Sequence, residues 1–168
     1  MNTSTTISNV RPTTTGEHLA FCLGDQEYGL AISGVREIRF YESPTRIAGS
    51  PTHILGVLDL RGESVPLIDL RVCLGITALF TASTVTVVAN VGNDTFGMVV
   101  DSVSDVVELT RDQIREVPGM VGTEDSHGVI GIAQVTHEGS HRTLLLLDAS
   151  QMISRIRDCA SLDLSVAC

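Results

Sequence analysis

The chain has 168 residues and a formal net charge of −9, a length sufficient for one large domain or two small intertwined ones. All eleven basic residues are arginines, so the sequence has no lysine for a P-loop, a Schiff base or a kinase-type ATP site. The acidic charge would repel a phosphate backbone, and with no Trp, two Tyr and four Phe there are few rings to stack on bases, so no nucleic acid partner is expected.

The first elements along the chain are a polar segment and a set of strands. Met1–Gly16 is rich in Thr and Ser and almost free of apolar side chains, which predicts a disordered N-terminal tail over residues 1–16. Apolar runs at Leu19–Leu23 and Tyr28–Ile32 flank a Gly-Asp-Gln turn and predict a hairpin. A further extended stretch is predicted over Val35–Phe40.

A short helix signal and a second hairpin follow. Ser50-Pro51 is typical of a helix N-terminus, although Gly56 permits at most one short turn. The alternation of apolar and polar residues up to Gly62 predicts a strand that places Arg61 on the same face as Asp59. Because a buried arginine costs several kcal/mol unless it is paired, Arg61 is expected either in an internal ion pair or as a polar anchor at a protein interface.

The rest of the chain predicts short strands and a closing helix. Arg71–Ile76 leaves room for one or two helical turns, and a helix is predicted from Ala149 to about Arg157. Further strands are predicted over Thr84–Val91, Thr95–Val100, Val103–Leu109, Gly128–Thr136 and Arg142–Leu147. Many short strands separated by turns favour an all-β fold of small barrels or a sandwich.

Motifs for catalysis and metal binding are weak. His137–His141 has the letters H-E-x-x-H, which on a helix would place two imidazoles beside a glutamate base. The segment lies between two strand-like runs and contains a glycine, so a hairpin turn is predicted instead. Asp101, Asp105 and Glu108 alternate with valines as surface residues of strands do, and no catalytic residue, metal or cofactor is predicted.

The spacing of the cysteines and the hydropathy pattern indicate the cellular compartment in which the protein is expected. Cys22, Cys73, Cys159 and Cys168 are widely spaced without a C-x-x-C pair, and the N-terminus lacks the features of a signal peptide. No apolar run approaches the ~20 residues that a membrane-spanning helix needs. We therefore expect a cytoplasmic protein that does not insert directly into the membrane.

Five motifs occur in a set order along the chain: Phe21–Leu30, Val35–Ile38, Pro51–Gly62, Val65–Arg71 and Gly97–Val106. In these segments the sequence strongly resembles the CheW family of bacterial chemotaxis coupling proteins. The resemblance extends from about Leu19 to Ile153. One departure is Asp59, because the family usually has Asn before the Leu-Arg-Gly motif.

The resemblance implies a fold and a function. The fold is all-β, with two intertwined five-stranded SH3-like barrels over a shared core, short helices and a C-terminal helix, in a domain over residues 17–158 followed by a tail over residues 159–168. The function is that of a non-catalytic adaptor that couples the cytoplasmic tip of methyl-accepting chemoreceptors to the regulatory domain of the CheA histidine kinase and scaffolds the signalling array. Other CheW-like domains in array rings are further expected partners. The protein would reach membrane-associated arrays through these partners.

The resemblance also implies contact residues. Receptor contact in the family lies in the groove between the barrels, which corresponds to Val35, Glu37, Gly56, Val87 and Val99. Kinase contact lies on one barrel, built largely from the middle of the chain. Gly56 is interpreted either as a position where a side chain would block a receptor helix or as a turn glycine.

Arg61 acquires a more specific interpretation from the resemblance. Arg61 and Glu37 match family positions whose side chains can pair, so Arg61, Glu37, Asp59 and Gly62 are predicted to form a conformational element at the interface. Asp59 competes with Glu37 for the arginine, and both pairings stay open at this stage.

Two other functions are compatible with the sequence. One is an adaptor of a different chemosensory array, such as one that controls twitching motility or a second messenger. The other is a zinc-dependent hydrolase built on His137, Glu138 and His141, which bound zinc in the purified protein would reveal.

Overall fold

The structure is a computed structural model that describes residues 15–116 and 128–154. Its strands are β1 (Gly16–Leu23), β2 (Gln26–Ala31), β3 (Val35–Phe40), β4 (Ile54–Leu60), β5 (Glu63–Asp69), β6 (Val85–Val91), β7 (Asp94–Val100), β8 (Ser102–Leu109), β9 (Ile114–Arg115), β10 (Val129–His137) and β11 (Ser140–Leu147). One helical turn, α1, spans Leu70–Cys73, residues 149–154 form the helix α2, and 3-10 turns lie at Ile32–Gly34 and Arg111–Gln113. The all-β prediction is confirmed.

Several sequence predictions concern the ends of the chain. The first strand begins at Gly16, three residues before the predicted start at Leu19. Most of the predicted N-terminal tail, the helix beyond residue 154 and the predicted C-terminal tail over residues 159–168 lie outside the described residues. Among the described residues, no helix is long and apolar enough to cross a membrane.

The strands form two sheets. The order is β8-β1-β2-β11-β10-β9 in sheet A and β3-β6-β7-β5-β4 in sheet B. The first and last strands of each order are consecutive in the chain, which is the arrangement of a small closed barrel. Sheet A has six strands rather than the predicted five because the two-residue strand β9 pairs with β10.

The two sheets are intertwined, as predicted. Sheet B uses the middle of the chain, and sheet A combines strands from before and after it. Each sheet contains one parallel pair, β2 with β11 in sheet A and β5 with β7 in sheet B, and these pairs join distant segments. The strand order within each sheet therefore depends on pairings between segments that are far apart in sequence.

Strands β1 and β6 are buried on both faces. In β1, Leu19 and Phe21 pack in a core shared by the two sheets, whereas the intervening Ala20 packs in a separate cluster within sheet A. In β6, Val87 packs in the shared core and Val88 packs within sheet B against Leu58, Leu60 and Val65. Because successive side chains point to opposite faces of a strand, each sheet has one face toward its own interior and one toward the other sheet.

Helix α2 packs against the shared core and against sheet B. Met152 of α2 packs in the shared core, and Ile153 packs against Ile68 and Phe96 of sheet B. The carboxylate of Asp148 accepts a hydrogen bond from the Gln151 backbone N–H (3.1 Å) and thereby caps α2. The helix signal at Ser50-Pro51 corresponds to a hydrogen-bonded turn, because β4 already begins at Ile54.

The H-E-x-x-H segment is a hairpin turn, as predicted from its glycine. His137 pairs with Ser140 across the turn between β10 and β11, and Glu138 and Gly139 have positive φ angles of 50° and 80°. The two histidines are therefore not on one face of a helix, which is the arrangement that a zinc hydrolase of this type needs.

Candidate interaction surface

Arg61 lies in the turn that connects β4 and β5. Its φ angle is 54° and its side chain is 71% exposed, so it is not on the strand face that the alternation predicted, since β4 ends at Leu60. Nη2 of Arg61 donates to Oε2 of Glu37 over 3.2 Å. The carboxylate of Asp59 instead accepts the Gly62 backbone N–H over 3.0 Å and closes the turn. Of the two open pairings, the structure has Arg61 with Glu37.

A second ion pair joins the same two parts of sheet B. Nη1 of Arg36 lies 3.0 Å from Oε2 of Glu63, the first residue of β5, so two residues of β3 contact the β4–β5 hairpin at or beside its turn. The hydrogen bond from Arg36 lowers the pKa of Glu63. Exposed pairs of this kind contribute little to stability, because water screens the two charges. Their effect is to orient β3 relative to the turn rather than to hold the fold.

The other predicted groove residues differ in accessibility. Val35 is half-buried against the shared core, and the side chain of Glu37 is 24% exposed. Val87 and Val99 are 1% and 0% exposed, so in this conformation they lie beneath the surface and cannot contact a partner directly. The structure therefore brings Val35 and Glu37 to the surface on β3, with Val87 supporting the neighbouring strand.

Gly56 lies inside β4 and not in a turn. Its φ angle is 149°, and a Cβ atom built there would overlap the backbone carbonyl oxygen of Thr45. Thr45 and Val57 exchange two backbone hydrogen bonds of 3.0 and 2.9 Å, which pair the segment after β3 with β4. The space beside Gly56 is thus occupied by the chain itself, and the turn-glycine interpretation is wrong. A side chain at Gly56 would meet Thr45 before it met a partner.

An exposed apolar stripe runs along the face of β3 that continues the shared core toward the surface. Ile38 and Phe40 are 44% and 79% exposed and lie opposite Val87 and Val85 of β6. Since Val87 and the half-buried Val35 belong to the shared core, the stripe continues this core outward to the surface. We call Val35, Ile38 and Phe40 the β3 stripe. Sequence reasoning placed only Val35 here, although the alternation of Ile38 and Phe40 with charged residues was a visible signal.

A buried charge network lies where the two sheets meet. Arg71 is 0% exposed, and its guanidinium donates to both carboxylate oxygens of Asp69 (2.9 Å each), to Asp101 (2.8 Å) and to the Leu79 carbonyl (2.6 Å). Burial lowers the pKa of Arg71, but the hydrogen bonds with the two carboxylates outweigh this effect, and the pKa is raised. Arg71 stays charged, and the network is a fixed structural element. This role of Arg71 was not predicted from the sequence.

A second charge cluster ties the strands of sheet A together. The guanidinium of Arg142 donates twice to Glu27 (3.0 and 2.6 Å) and twice to Asp105 (3.0 and 2.8 Å), and so joins β11, β2 and β8. The hydrogen bond from Arg142 lowers the pKa of Glu27, and burial opposes this effect only in part. These bidentate contacts have the geometry of strong arginine and carboxylate pairs.

The cluster predicts an acid-sensitive stability. Because the pKa of Glu27 is lowered in the folded state, the pair stabilises the protein above the ordinary value of 4.5 and loses this effect as the pH falls through the folded-state pKa below it. Urea unfolding between pH 7 and pH 3 should show a loss of stability from this pair that sets in only below about pH 4.5. The Glu27→Gln variant should be less stable at pH 7 and should show a flatter pH dependence. An equally steep acid loss in this variant would contradict the assignment.

The described residues contain no group of three or more His, Cys, Asp or Glu side chains positioned to hold a metal ion. What they present is an exposed apolar stripe beside a turn that two ion pairs orient. These features define the class of protein as a β-barrel module with a candidate protein-binding surface.

Comparison with known proteins gives the family. The CheW-like domain matches residues 17–157. The chemotaxis protein CheW of Klebsiella aerogenes is 41% identical over 151 residues, which are 89% of this chain and 89% of that protein. CheW of Rhizobium meliloti is 34% identical over 134 residues, which are 79% of this chain and 85% of that protein. The crystal structure of the scaffolding protein TtCheW from Thermoanaerobacter tengcongensis has a TM-score of 0.72 at 26% identity and covers 83% of this chain and 92% of that one. The chain therefore belongs to the CheW-like family.

Proposed function

We propose that this protein is a non-catalytic chemotaxis adaptor that couples the cytoplasmic tip of methyl-accepting chemoreceptors to the regulatory domain of a CheA-type histidine kinase. Membership of the CheW-like family supports this function. The single structural observation that carries it is the exposed β3 stripe, with Phe40 79% exposed. Contiguous exposed apolar surface beside charged residues is typical of protein-binding sites. The adaptor would act in the cytoplasm and reach the membrane-associated array through its partners.

The outer part of the β3 stripe is our proposed kinase contact. It lies on sheet B, which is built from the middle of the chain. The family resemblance implies that the kinase contact lies on this barrel. Phe40 offers a large apolar side chain that a partner would remove from water, and such residues dominate binding energy at interfaces. The inner part, at Val35, reaches the shared core between the two sheets and is our proposed receptor contact. Val87 would support this groove from below, whereas Val99 points to the opposite face of β7 from Met98 and Val100 of the shared core.

The Arg61 and Glu37 pair is proposed to hold β3 in the orientation that binding needs. The two side chains connect the turn after β4 to the strand that carries the stripe. Arg61 is 71% exposed, so replacing it should change fold stability by no more than about 1 kcal/mol. A change in binding by an Arg61 variant would therefore report on the surface and not on unfolding.

Calorimetric titration with the purified CheA regulatory domain of the same organism tests the proposal. We expect saturable binding by the wild type and a loss of about tenfold or more in affinity for Phe40→Asp and for Arg61→Glu, because truncating or reversing an interface hot spot commonly costs 1.4 kcal/mol or more. Val106→Asp is the matched control, since Val106 is a 50% exposed valine on β8 of sheet A. This control should bind like the wild type.

The outcomes of the titration test separately the coupling function and the assignment of the β3 stripe as the kinase contact. Absence of binding by the folded wild type would contradict the coupling function. Wild-type affinity of Phe40→Asp for the kinase domain would remove the β3 stripe from the kinase contact, and a titration of the same variant against a receptor tip fragment would then show whether it serves the receptor.

A further inference from the structure

A chain of contacts connects the junction of the two sheets to the end of the β3 stripe. It begins at the turn between β1 and β2 of sheet A, where the Gly24 backbone N–H donates to Oδ2 of Asp101 over 2.6 Å. The other oxygen of Asp101 accepts from Nη1 of Arg71 over 2.8 Å. One carboxylate thus bridges sheet A and the arginine that is anchored on Asp69 at the end of β5.

The chain continues from Arg71 to the segment between α1 and β6. Nη1 of Arg71 also donates to the Leu79 carbonyl, and its Cζ atom lies 4.7 Å from the centroid of the Phe80 ring. A guanidinium over an aromatic ring is an attractive arrangement. Leu79 and Phe80 are 67% and 51% exposed, so burial contributes less to the position of this segment than it does in the strands. The contacts with Arg71 fix where Phe80 lies.

The last contact reaches β3. The Phe80 ring lies 4.6 Å from the ring of Tyr41, centroid to centroid, and Tyr41 directly follows Phe40 at the end of the strand. The Tyr41 backbone N–H donates to the Thr84 carbonyl over 3.2 Å, which continues the pairing of β3 with the segment before β6. The backbone that carries Phe40 is therefore supported from one side by Phe80.

We propose that Asp101 and Arg71 are positioning residues for the β3 stripe: they hold Phe80 against Tyr41 and so set the orientation of Phe40 relative to sheet A. This inference rests on the proposed function, because it takes the stripe as the kinase contact. A change in the relative position of the two sheets, which also form the proposed receptor groove, would therefore change the orientation of Phe40 at the proposed kinase contact. Rigid side-chain networks of this kind can carry coupling between two binding sites.

The Asp101→Asn variant separates positioning from folding. Asparagine has the same shape and can still accept the Gly24 N–H, while Arg71 keeps its two hydrogen bonds to Asp69 and no charge is left unpaired. We expect a folded protein whose dissociation constant for the CheA regulatory domain rises about fivefold at a temperature where the variant is fully folded. A merely structural role would lower the melting temperature and leave this dissociation constant unchanged.

A double-mutant cycle tests whether the effect passes through Phe80. Phe80→Ala removes the support of Tyr41, so adding Asp101→Asn to it should produce no further loss of affinity. The matched control is Asp105→Asn, which removes a carboxylate from the Arg142 cluster of sheet A and should leave the dissociation constant unchanged. Additive losses in the cycle, or an equal loss for Asp105→Asn, would overturn the inference.

A second readout does not depend on kinase binding. Because the Phe80 ring lies close to the Tyr41 ring, the NMR shifts of the Tyr41 ring protons should change in Asp101→Asn and stay unchanged in Asp105→Asn. Unchanged Tyr41 shifts in Asp101→Asn would overturn the positioning role. If the wild type fails to bind the kinase domain, the proposed function is wrong, and the Tyr41 shifts alone then decide the positioning role.

Discussion

Replacing Gly56 by alanine is expected to destabilise the protein by about 3 kcal/mol or more, because the substitution combines a strained backbone with a steric clash. The φ angle of 149° is one that residues with a side chain rarely adopt. The new Cβ would also overlap the Thr45 carbonyl oxygen and lie 2.8 Å from its carbonyl carbon, and these backbone atoms cannot rotate away. Urea unfolding followed by circular dichroism would measure the loss from the shift in the transition midpoint.

Gly62→Ala is the matched control for backbone strain. Gly62 also has a positive φ angle, 86°, but no heavy atom lies within 4 Å of the position that its Cβ would occupy. This variant should lose only about 1 kcal/mol, so the difference between the two variants measures the clash with Thr45 together with the greater backbone strain at a φ angle of 149°. Equal losses in the two variants would mean that the pairing of Thr45 with Val57 adapts to the extra atom, contrary to our interpretation.

The expected instability of Gly56 variants affects how binding data are interpreted. A variant that opens the contact between Thr45 and Val57 would disturb β4 and the turn that carries Arg61. Loss of partner binding would then follow from loss of structure and would not identify Gly56 as a contact residue. Exposed positions such as Phe40 give a more direct test of the binding surface.

The fold was predictable where its determinants are local. Turn residues such as Gly24 and Gly139 mark hairpins through the positive φ angles of 61° and 80° that they adopt. The one-turn length of α1 also follows from the short segment available to it. The second buried face of β1 and β6 could not be predicted from the sequence pattern, because the residues that cover it belong to the other sheet.

The candidate site was predictable only in part, for the same reason. Whether Arg61 pairs with Glu37 or with Asp59 depends on whether Asp59 already accepts another hydrogen bond. In the turn, Asp59 accepts the backbone N–H of Gly62. The burial of Val87 and Val99 results from packing that strand alternation alone cannot reveal. The role of Arg71 depends on Asp101, a partner thirty residues away along the chain and in a separate motif.

Replacing Arg71 by methionine is expected to cost about 3 to 5 kcal/mol of stability, the usual effect of removing one partner from a buried ion pair. The side chain of Arg71 is 0% exposed and that of Asp69 is 1% exposed, so the carboxylate of Asp69 would remain buried without its counter-charge. The Arg71 backbone N–H would still donate to Asp69, but one neutral donor does not replace a guanidinium. Thermal and urea unfolding at neutral pH would measure the loss.

Two comparisons show whether the buried, unpaired carboxylate of Asp69 causes this loss of stability. The double variant Asp69→Asn with Arg71→Met should be more stable than Arg71→Met alone, because it no longer buries an unpaired carboxylate. Arg142→Met should lose less, about 1 to 2 kcal/mol, because the Arg142 side chain is 24% exposed and water can solvate Glu27 and Asp105 after its removal. Two results would contradict this explanation: a loss of stability in Arg142→Met as large as that in Arg71→Met, or no recovery of stability in the double variant. Either result would mean that Arg71 stabilises the junction of the two sheets mainly through the packing of its side chain and not through its charge.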